Sequence, residues 1–366
     1  MKSGGSEGTA VSKPKNLRVV LRSRPPGLPT LDNFGLVEDA IPEPGPGEVL
    51  LRTRWLSIEP YMLLGMKGAA PHSPKRGLER LPNLANLYLG GVQLGATMYG
   101  PTISEVVTSR NDRFAAGDVV VAYSGWQSFA VDDGATLLRI DKDGPPLTAW
   151  LGVLGIPGFT AYVGMKRIAQ VRPGETVVVS AALGPVGSVV GQMARIAGAR
   201  AVGIASGAEK CRTLVEELHF DAAVDRLAAD LPGALAGVCP GGIDVYFENA
   251  GGAVWWAVFP LLKEFARVPV CGLASKYSGI QRDAGGDRTM EVLERILLFR
   301  MKLEGIFVFD HAALESDFRR DVSAWVADGR VKFREDIVET LDAAPGALIN
   351  VLNGRNKGKL LVRVAP

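Results

Sequence analysis

Residues Thr176 to Gly191, TVVVSAALGPVGSVVG, constrain the fold more than any other stretch. Val177, Val178 and Val179 are a short apolar, β-branched run, which reads as a buried parallel strand. Ala181, Ala182, Gly184 and Gly187 follow, and Val189 to Ile196 then carry a helical pattern. Strand, tight turn of small residues and helix start, in that order, predict a dinucleotide-binding turn. Small residues let the backbone approach a pyrophosphate, and the helix N-terminus offers free N–H groups and the positive end of a dipole. Ala182, Gly184, Val186 and Gly187 are the candidate contacts, and Gly187 or Gly191 allows close packing of helix on strand. The pattern is AxxGxxG rather than GxGxxG, so it gains its meaning from the βαβ context. The plain alternative is an ordinary glycine-rich strand–helix turn.

With 366 residues the chain is long enough for two domains. A net charge of +2 argues against a nucleic-acid or acidic-membrane partner. Cys211, Cys239 and Cys271 are scattered without a CxxC, which fits a reducing compartment and a cytoplasmic location. No apolar run is long enough to span a bilayer. The first fifteen residues, MKSGGSEGTAVSKPK, lack an apolar signal core, and their Gly/Ser/Lys composition predicts disorder.

Strand signals occur at Leu17 to Leu21, Phe34 to Val37, Glu48 to Trp55, Gly100 to Val107 and Asp118 to Tyr123, with GDVVVAYSGWQSFAV reading as strand, turn and strand. The long irregular segment Gly68 to Gly91 is of the kind that is more often functional than idle. From Leu151 strands and helices alternate. Strands are expected at Arg200 to Ala205, Ala223 to Asp225, Ile243 to Phe247, Arg267 to Cys271 and Ile306 to Phe309. Helices are expected at Ala208 to Leu218, Val254 to Leu262, Arg288 to Phe299 and Leu314 to Ala327. This is the pattern of a doubly wound parallel sheet, followed by a tail of strand and turn character. The division expected is a β-rich unit over 16–149 with 329–366 and a nucleotide-binding unit over 150–328.

Several motifs agree on a resemblance: SIEPYM at Ser57 to Met62, GWQSF at Gly125 to Phe129, LGVLGIPGFTAY at Leu151 to Tyr162, SAALGPVGS at Ser180 to Ser188, ENAGG at Glu248 to Gly252, CGLASKY at Cys271 to Tyr277 and GRNKGK at Gly354 to Lys359. The chain resembles the zinc-independent branch of the medium-chain dehydrogenase/reductase superfamily that holds prostaglandin reductases and alkenal double-bond reductases. The resemblance spans nearly the whole chain, excluding the first fifteen residues or so and the segment after Met66. It implies a GroES-like β-rich catalytic domain plus a Rossmann domain, with the active site in the cleft between them. It further implies a homodimer and an NADPH-dependent hydride transfer to the β-carbon of an enone or enal. Zinc is disfavoured independently: only His72, His219 and His311 are present, with no GHE motif and no four-cysteine lobe.

For the cofactor, an NAD site usually places an acid about 20 residues after the glycine motif, on the ribose 2′-OH. Here the second strand ends in Ala205, Ser206 and Gly207, and Lys210 opens the next helix. A lysine there can pair with a 2′-phosphate, and the resemblance implies that role. Glu209 adjoins it and can point away. Arg226 stands where the family often has a tyrosine near this phosphate and is a candidate second cation. The resemblance implies further cofactor contacts at Asn249 and Asn356, with Cys271 and Phe307 as additional candidates; the asparagines have turn formation as their plain alternative.

For the chemistry, Tyr277 matches a family tyrosine beside the nicotinamide pocket, where a phenol can donate to a developing enolate. Tyr61 matches a second pocket tyrosine, as substrate wall. Two departures from the family, Leu63 for arginine and Glu59 for aspartate, together with the long 68–91 segment, are expected to reshape the pocket mouth. The alternatives left open are a quinone reductase, an enoyl-thioester or biosynthetic double-bond reductase, and a non-catalytic NADPH-sensing protein.

Overall fold

The computed structural model describes residues 14–68, 91–277 and 286–365, apart from the side chain of Tyr277. His72 and most of the 68–91 segment lie outside the described residues. A two-stranded antiparallel sheet comes first, β1 (Lys15–Leu21) with β2 (Phe34–Ala40). β3 (Val49–Ser57) then leads through Pro60 into a short helix, α1 (Met62–Lys67). Next come β4 (Thr102–Ser109), β5 (Val119–Ala122), β6 (Phe129–Asp132) and β7 (Leu138–Ile140). The two strands flanking the Tyr123 to Ser128 turn do not pair with each other: β5 lies between β4 and β7, and β6 pairs with β3.

Helix α2 (Ile156–Val163) opens an alternating series: β8 (Thr176–Ser180), α3 (Gly187–Ile196), β9 (Arg200–Ala205), α4 (Ala208–Glu216), β10 (Ala222–Asp225), α5 (Leu231–Val238), β11 (Ile243–Phe247), α6 (Gly252–Val258), β12 (Leu262–Val270), α7 (Thr289–Phe299), β13 (Lys302–Gly305) and α8 (Glu315–Ala327). The six strands form one parallel sheet in the order β10-β9-β8-β11-β12-β13. The chain leaves β8 toward one edge and resumes at β11 toward the other, so the switch point lies between these two strands, where open α/β sheets bind ligands. The valine run is apolar throughout because both faces of β8 are covered. Val177 and Val179 pack in one core with α2, α3 and α8, while Val178 packs in the other with α5 and α6.

The last segment holds β14 (Glu335–Glu339), α9 (Ala344–Leu352) and β15 (Lys359–Arg363). Strands β14 and β15 join the seven-stranded sheet, which runs β14-β15-β3-β4-β5-β7 with β6 added on β3 as its seventh strand, and α9 packs against its core.

The structure corrects the expected last strand of the parallel sheet. That strand is Lys302–Gly305, not Ile306 to Phe309, and Val308–Leu314 turns as a 3-10 helix. The strand is an edge, so it keeps the polar sequence KLEG. The apolar residues after it fold inward, and Val308 is 7% exposed.

Candidate active site

The glycine turn begins where β8 ends at Ser180, and Ala181 adopts a left-handed φ of 48°. Ala182 donates its N–H to Ile204 O at 3.0 Å, and Gly184 donates to Ala181 O at 2.9 Å. A Cβ at Gly187 would stand 2.6 Å from Ala181 O and 2.8 Å from Ala182 Cα, so the closure of the turn requires glycine there. Gly191 serves the packing instead, since its Cβ would meet the Phe220 ring at 2.0 Å. Helix α3 starts at Gly187 after an N-cap, Val186, that supplies no side-chain bond; the Ser188 N–H donates to Gly184 O at 3.0 Å, and the uncapped N-terminus suits an incoming anion. Gly184 and Val186 are half-buried at this opening. Ala182 differs: it is fully buried, and a Cβ at Gly203 would lie 2.9 Å from its methyl, so its side chain packs and offers the opening nothing.

At the tip of the second strand, Arg226 Nε donates to Ser206 Oγ, and the Arg226 N–H donates to Ala205 O at 2.7 Å. Lys210 lies beside it; burial first, then the Arg226 charge, holds its ammonium below the usual lysine range. The acids of this corner are engaged elsewhere. Glu209 accepts from Lys357 Nζ at 2.7 Å, and Asp225 accepts from the Gly207 and Leu227 N–H groups at 2.7 and 3.0 Å. Asp336, whose charge Lys210 also feels, accepts from the Lys357 N–H at 3.1 Å. Two neighbouring cations and a hydroxyl, with the nearby acids held by other donors, suit a phosphate. Lys210 Nζ donates to Gly354 O at 2.7 Å, which brings the turn of Asn356 to the same corner. Asn356 itself donates to Gly358 O at 2.6 Å and so acts as a turn former.

At the switch point, Asn249 ties the ends of β11 and β8 together: its N–H donates to Ser180 Oγ at 2.8 Å and its Nδ2 to Ser180 O at 2.8 Å. Beneath it Glu248, 2% exposed, accepts at Oε1 from Tyr246 Oη at 3.0 Å, Ser180 Oγ at 3.1 Å and the N–H groups of Ala250 and Gly251 at 2.6 and 2.8 Å. Burial pushes this carboxyl above the usual carboxylate range, against the pull of its donors. The Cys271 N–H donates to Glu248 O at 2.9 Å, and Ala274 and Ser275 donate to Asn249 O and Ala250 O at 3.1 and 2.9 Å. The short helical turn Ala274–Tyr277 is thereby docked on the Asn249 loop. The Tyr277 side chain lies outside the described residues. Ser180 and Glu248 were not singled out from sequence. The signal was a carboxylate ending the apolar run IDVYFEN, where a charge must find donors.

A cavity of about 360 Å³ lies between the seven-stranded sheet and the region of α2 and α8. Its wall includes Glu59, Tyr61, Tyr123, Trp150, Phe309 and Arg319. Phe307 reaches it indirectly, its ring 5.4 Å from that of Phe309 in an edge contact. The Tyr123 phenol is pushed up to about 12 by burial and by the carboxylates of Glu59 and Glu315. Leu63 is not at the mouth as expected: it is fully buried in the core with Met62, Met66 and Trp126, because the first turn of α1 points inward. The candidates therefore fall into four groups: the turn, the cation corner, the switch-point floor and the cavity wall. Among the described residues, no three or more His, Cys, Asp or Glu gather as a metal site.

The chain matches two family models, one described as the N-terminal domain of oxidoreductase over residues 17–140 and one as zinc-binding dehydrogenase over 185–328. It is 43% identical over 355 residues to the NADPH-dependent curcumin reductase of Escherichia coli (strain K12), covering 96% of this chain and 98% of that protein. It is 34% identical over 342 residues to prostaglandin reductase 1 of Rattus norvegicus, covering 92% and 95%. Against the 2-alkenal reductase (NADP(+)-dependent) of Nicotiana tabacum it is 32% identical over 356 residues, covering 96% and 98%. Among solved structures, CurA from Vibrio vulnificus in complex with NADPH superposes with a TM-score of 0.88 at 40% identity, over 96% of this chain and 99% of that one. With a parallel nucleotide-binding sheet, a β-rich partner sheet and these relatives over almost its whole length, the chain belongs to the zinc-independent, double-bond-reductase branch of the medium-chain dehydrogenase/reductase superfamily.

Proposed function

We propose that this protein is an NADPH-dependent ene-reductase that saturates the C=C bond of an α,β-unsaturated carbonyl compound. The observation that carries the cofactor half is the corner of Lys210, Arg226 and Ser206, with its acids turned to other partners. The reaction half is supported by the relatives, which include reductases of curcumin, prostaglandins and 2-alkenals.

When bound, NADPH supplies the hydride for the β-carbon. The chain's own residues bind and orient. Gly184, Val186 and Gly187 would border the pyrophosphate at the start of α3, while Lys210 and Arg226 would hold the 2′-phosphate. Asn249 fixes the switch-point floor through Ser180, Cys271 adjoins that floor, and Phe307, beside Phe309, would be a further cofactor contact. Tyr277 is the residue assigned as hydrogen-bond donor to the carbonyl oxygen, where charge would develop as the double bond is reduced. Tyr61 forms the substrate wall of the cavity. In this reading residues 16–149 and 329–366 form the catalytic unit, and 150–328 form the cofactor unit.

A steady-state assay of NADPH oxidation with an enone, a quinone and an enoyl thioester tests the reaction class: the enone is the preferred acceptor. Tyr277→Phe lowers the maximal rate on that enone by roughly 100-fold, the effect of losing a principal oxyanion donor. Tyr61→Phe acts mainly on the Michaelis constant. An unchanged rate for Tyr277→Phe removes the tyrosine from the mechanism.

The reading includes a homodimer in the cytoplasm. The outer edge of the parallel sheet supports the dimer. β13 is its last strand, and α7, which leads into it, exposes Met290, Leu293, Leu297 and Leu298 at 75%, 52%, 73% and 56%. Three free cysteines support a reducing compartment, and no helix among the described residues is long and apolar enough to cross a membrane.

A further inference from the structure

Glu248 is buried just beyond β11, and the reduction as described makes no use of its carboxylate. Four donors reach Oε1, coming from β11, from β8 and from the turn before α6: Tyr246 Oη, Ser180 Oγ and the N–H groups of Ala250 and Gly251. Among the described residues no donor reaches the buried Oε2. A buried carboxylate oxygen without a donor is costly, and apolar side chains of similar volume usually fill such a place at least as stably. The carboxylate therefore needs a reason other than packing.

The main chain of Glu248 belongs to the same junction. Its N–H donates to Pro269 O at 2.9 Å, and its carbonyl accepts from the N–H groups of Cys271 and Gly272 at 2.9 and 3.1 Å. One residue thus holds two segments. Its side chain holds residues 249–251, and its carbonyl holds Cys271 and Gly272, which lead into the turn Ala274–Tyr277. The first segment is not stiff by itself, because Gly251 and Gly252 both adopt left-handed φ, 73° and 62°, and carry no side chain to fix them. The two segments also approach closely: a Cβ at Gly251 would stand 3.0 Å from Ser275 Oγ. Without the carboxylate, the N–H groups of Ala250 and Gly251 lose their acceptor and the Asn249 turn is released toward its neighbour.

We propose that Glu248 is a positioning residue, whose carboxylate fixes the Asn249 turn against the Cys271 segment and so sets where the nicotinamide end of the cofactor lies. This rests on the reading of the switch point as the seat of the nicotinamide. The test uses Glu248→Ala, Glu248→Gln and Ser180→Ala, with folding checked by circular dichroism. In the free protein, hydrogen exchange is read by mass spectrometry on the peptide carrying Ala250 and Gly251, and it is faster in Glu248→Ala than in wild type. Calorimetry then compares NADPH with 2′-phospho-ADP-ribose, which keeps the phosphates and lacks the nicotinamide. Glu248→Ala weakens NADPH and leaves the truncated ligand bound as tightly as in wild type. Turnover of an enone falls roughly 100-fold, the effect of a displacement of about 1 Å. Glu248→Gln keeps an oxygen acceptor of the same reach and recovers most of that loss. If Glu248→Ala does not fold, Ser180→Ala decides: it removes the acceptor of the Asn249 N–H, leaves Oε1 its other donors, and gives the same split between the two ligands. Unchanged exchange in Glu248→Ala, or an equal loss of affinity for both ligands, overturns the positioning role. A wild type that turns over no enone, while the exchange and the split between ligands hold, overturns the proposed reaction instead.

Discussion

Lys210 Nζ donates to the carbonyl oxygen of Gly354 at 2.7 Å, tying the cation of the second-strand corner to the segment that leads into β15. The contact holds the ammonium in place beside Arg226 and satisfies one of its three protons with a neutral partner. Its charge is left for a phosphate.

Replacing Lys210 by alanine therefore raises the Michaelis constant for NADPH roughly 10- to 100-fold, a charge-assisted contact being worth roughly 1.5–3 kcal/mol. NADH turnover changes little. Parallel kinetics with the two cofactors check this, and a wild type that uses NADH as well as NADPH removes Lys210 from cofactor selection.

The same lysine sets a pH dependence. Burial and Arg226 hold its pKa below the ordinary 10.5, so in the free protein it loses its proton earlier than an exposed lysine. A bound 2′-phosphate favours the charged form. NADPH affinity is therefore full below the lowered pKa and falls as pH rises through it, while NADH affinity stays flat over that interval. For the free protein the sign differs: the unfolded chain holds the proton longer, so this group adds stability as pH rises between its folded value and 10.5. Lys210→Arg, which does not titrate, abolishes the alkaline loss of affinity. Fluorescence titration of NADPH against pH reads both effects.

Gly187→Ala places a methyl group 2.6 Å from Ala181 O and 2.8 Å from Ala182 Cα, both backbone atoms that must shift. The expected cost is about 1–3 kcal/mol of stability, with weaker NADPH binding because the turn opens. Denaturant unfolding and cofactor titration test it together. A variant with both quantities unchanged shows that the turn is not the cofactor's seat.

Local chemistry was legible in the sequence, and long-range pairing was not. The valines of β8 announced a strand covered on both faces, and Lys210 near a strand tip without an acid announced its corner. The edge strand Lys302–Gly305 was misplaced because an edge need not be apolar, and the inward-folded IFVF run mimics a strand. Helix α5, LPGALAGV, went unread because its proline and glycines look like loop punctuation; the proline sits in the first turn, where it is tolerated. Glu248 draws on Ser180, 68 residues away, and Glu59 on Lys359, 300 residues away, so neither network leaves a local pattern. Leu63 shows the opposite limit: a departure from a family's motif reads as a change at the pocket until the helix face it occupies is known.

The proposed reaction delivers hydride from NADPH to the β-carbon of an enone. NADPH carrying deuterium at both C4 positions, incubated with the protein and a simple aryl enone, tests it most directly when the product is read by NMR and mass spectrometry. The product expected is the saturated ketone with one deuterium, at the β-carbon, and solvent hydrogen at the α-carbon. An allylic alcohol deuterated at the carbinol carbon, or a saturated ketone without β-deuterium, would contradict it.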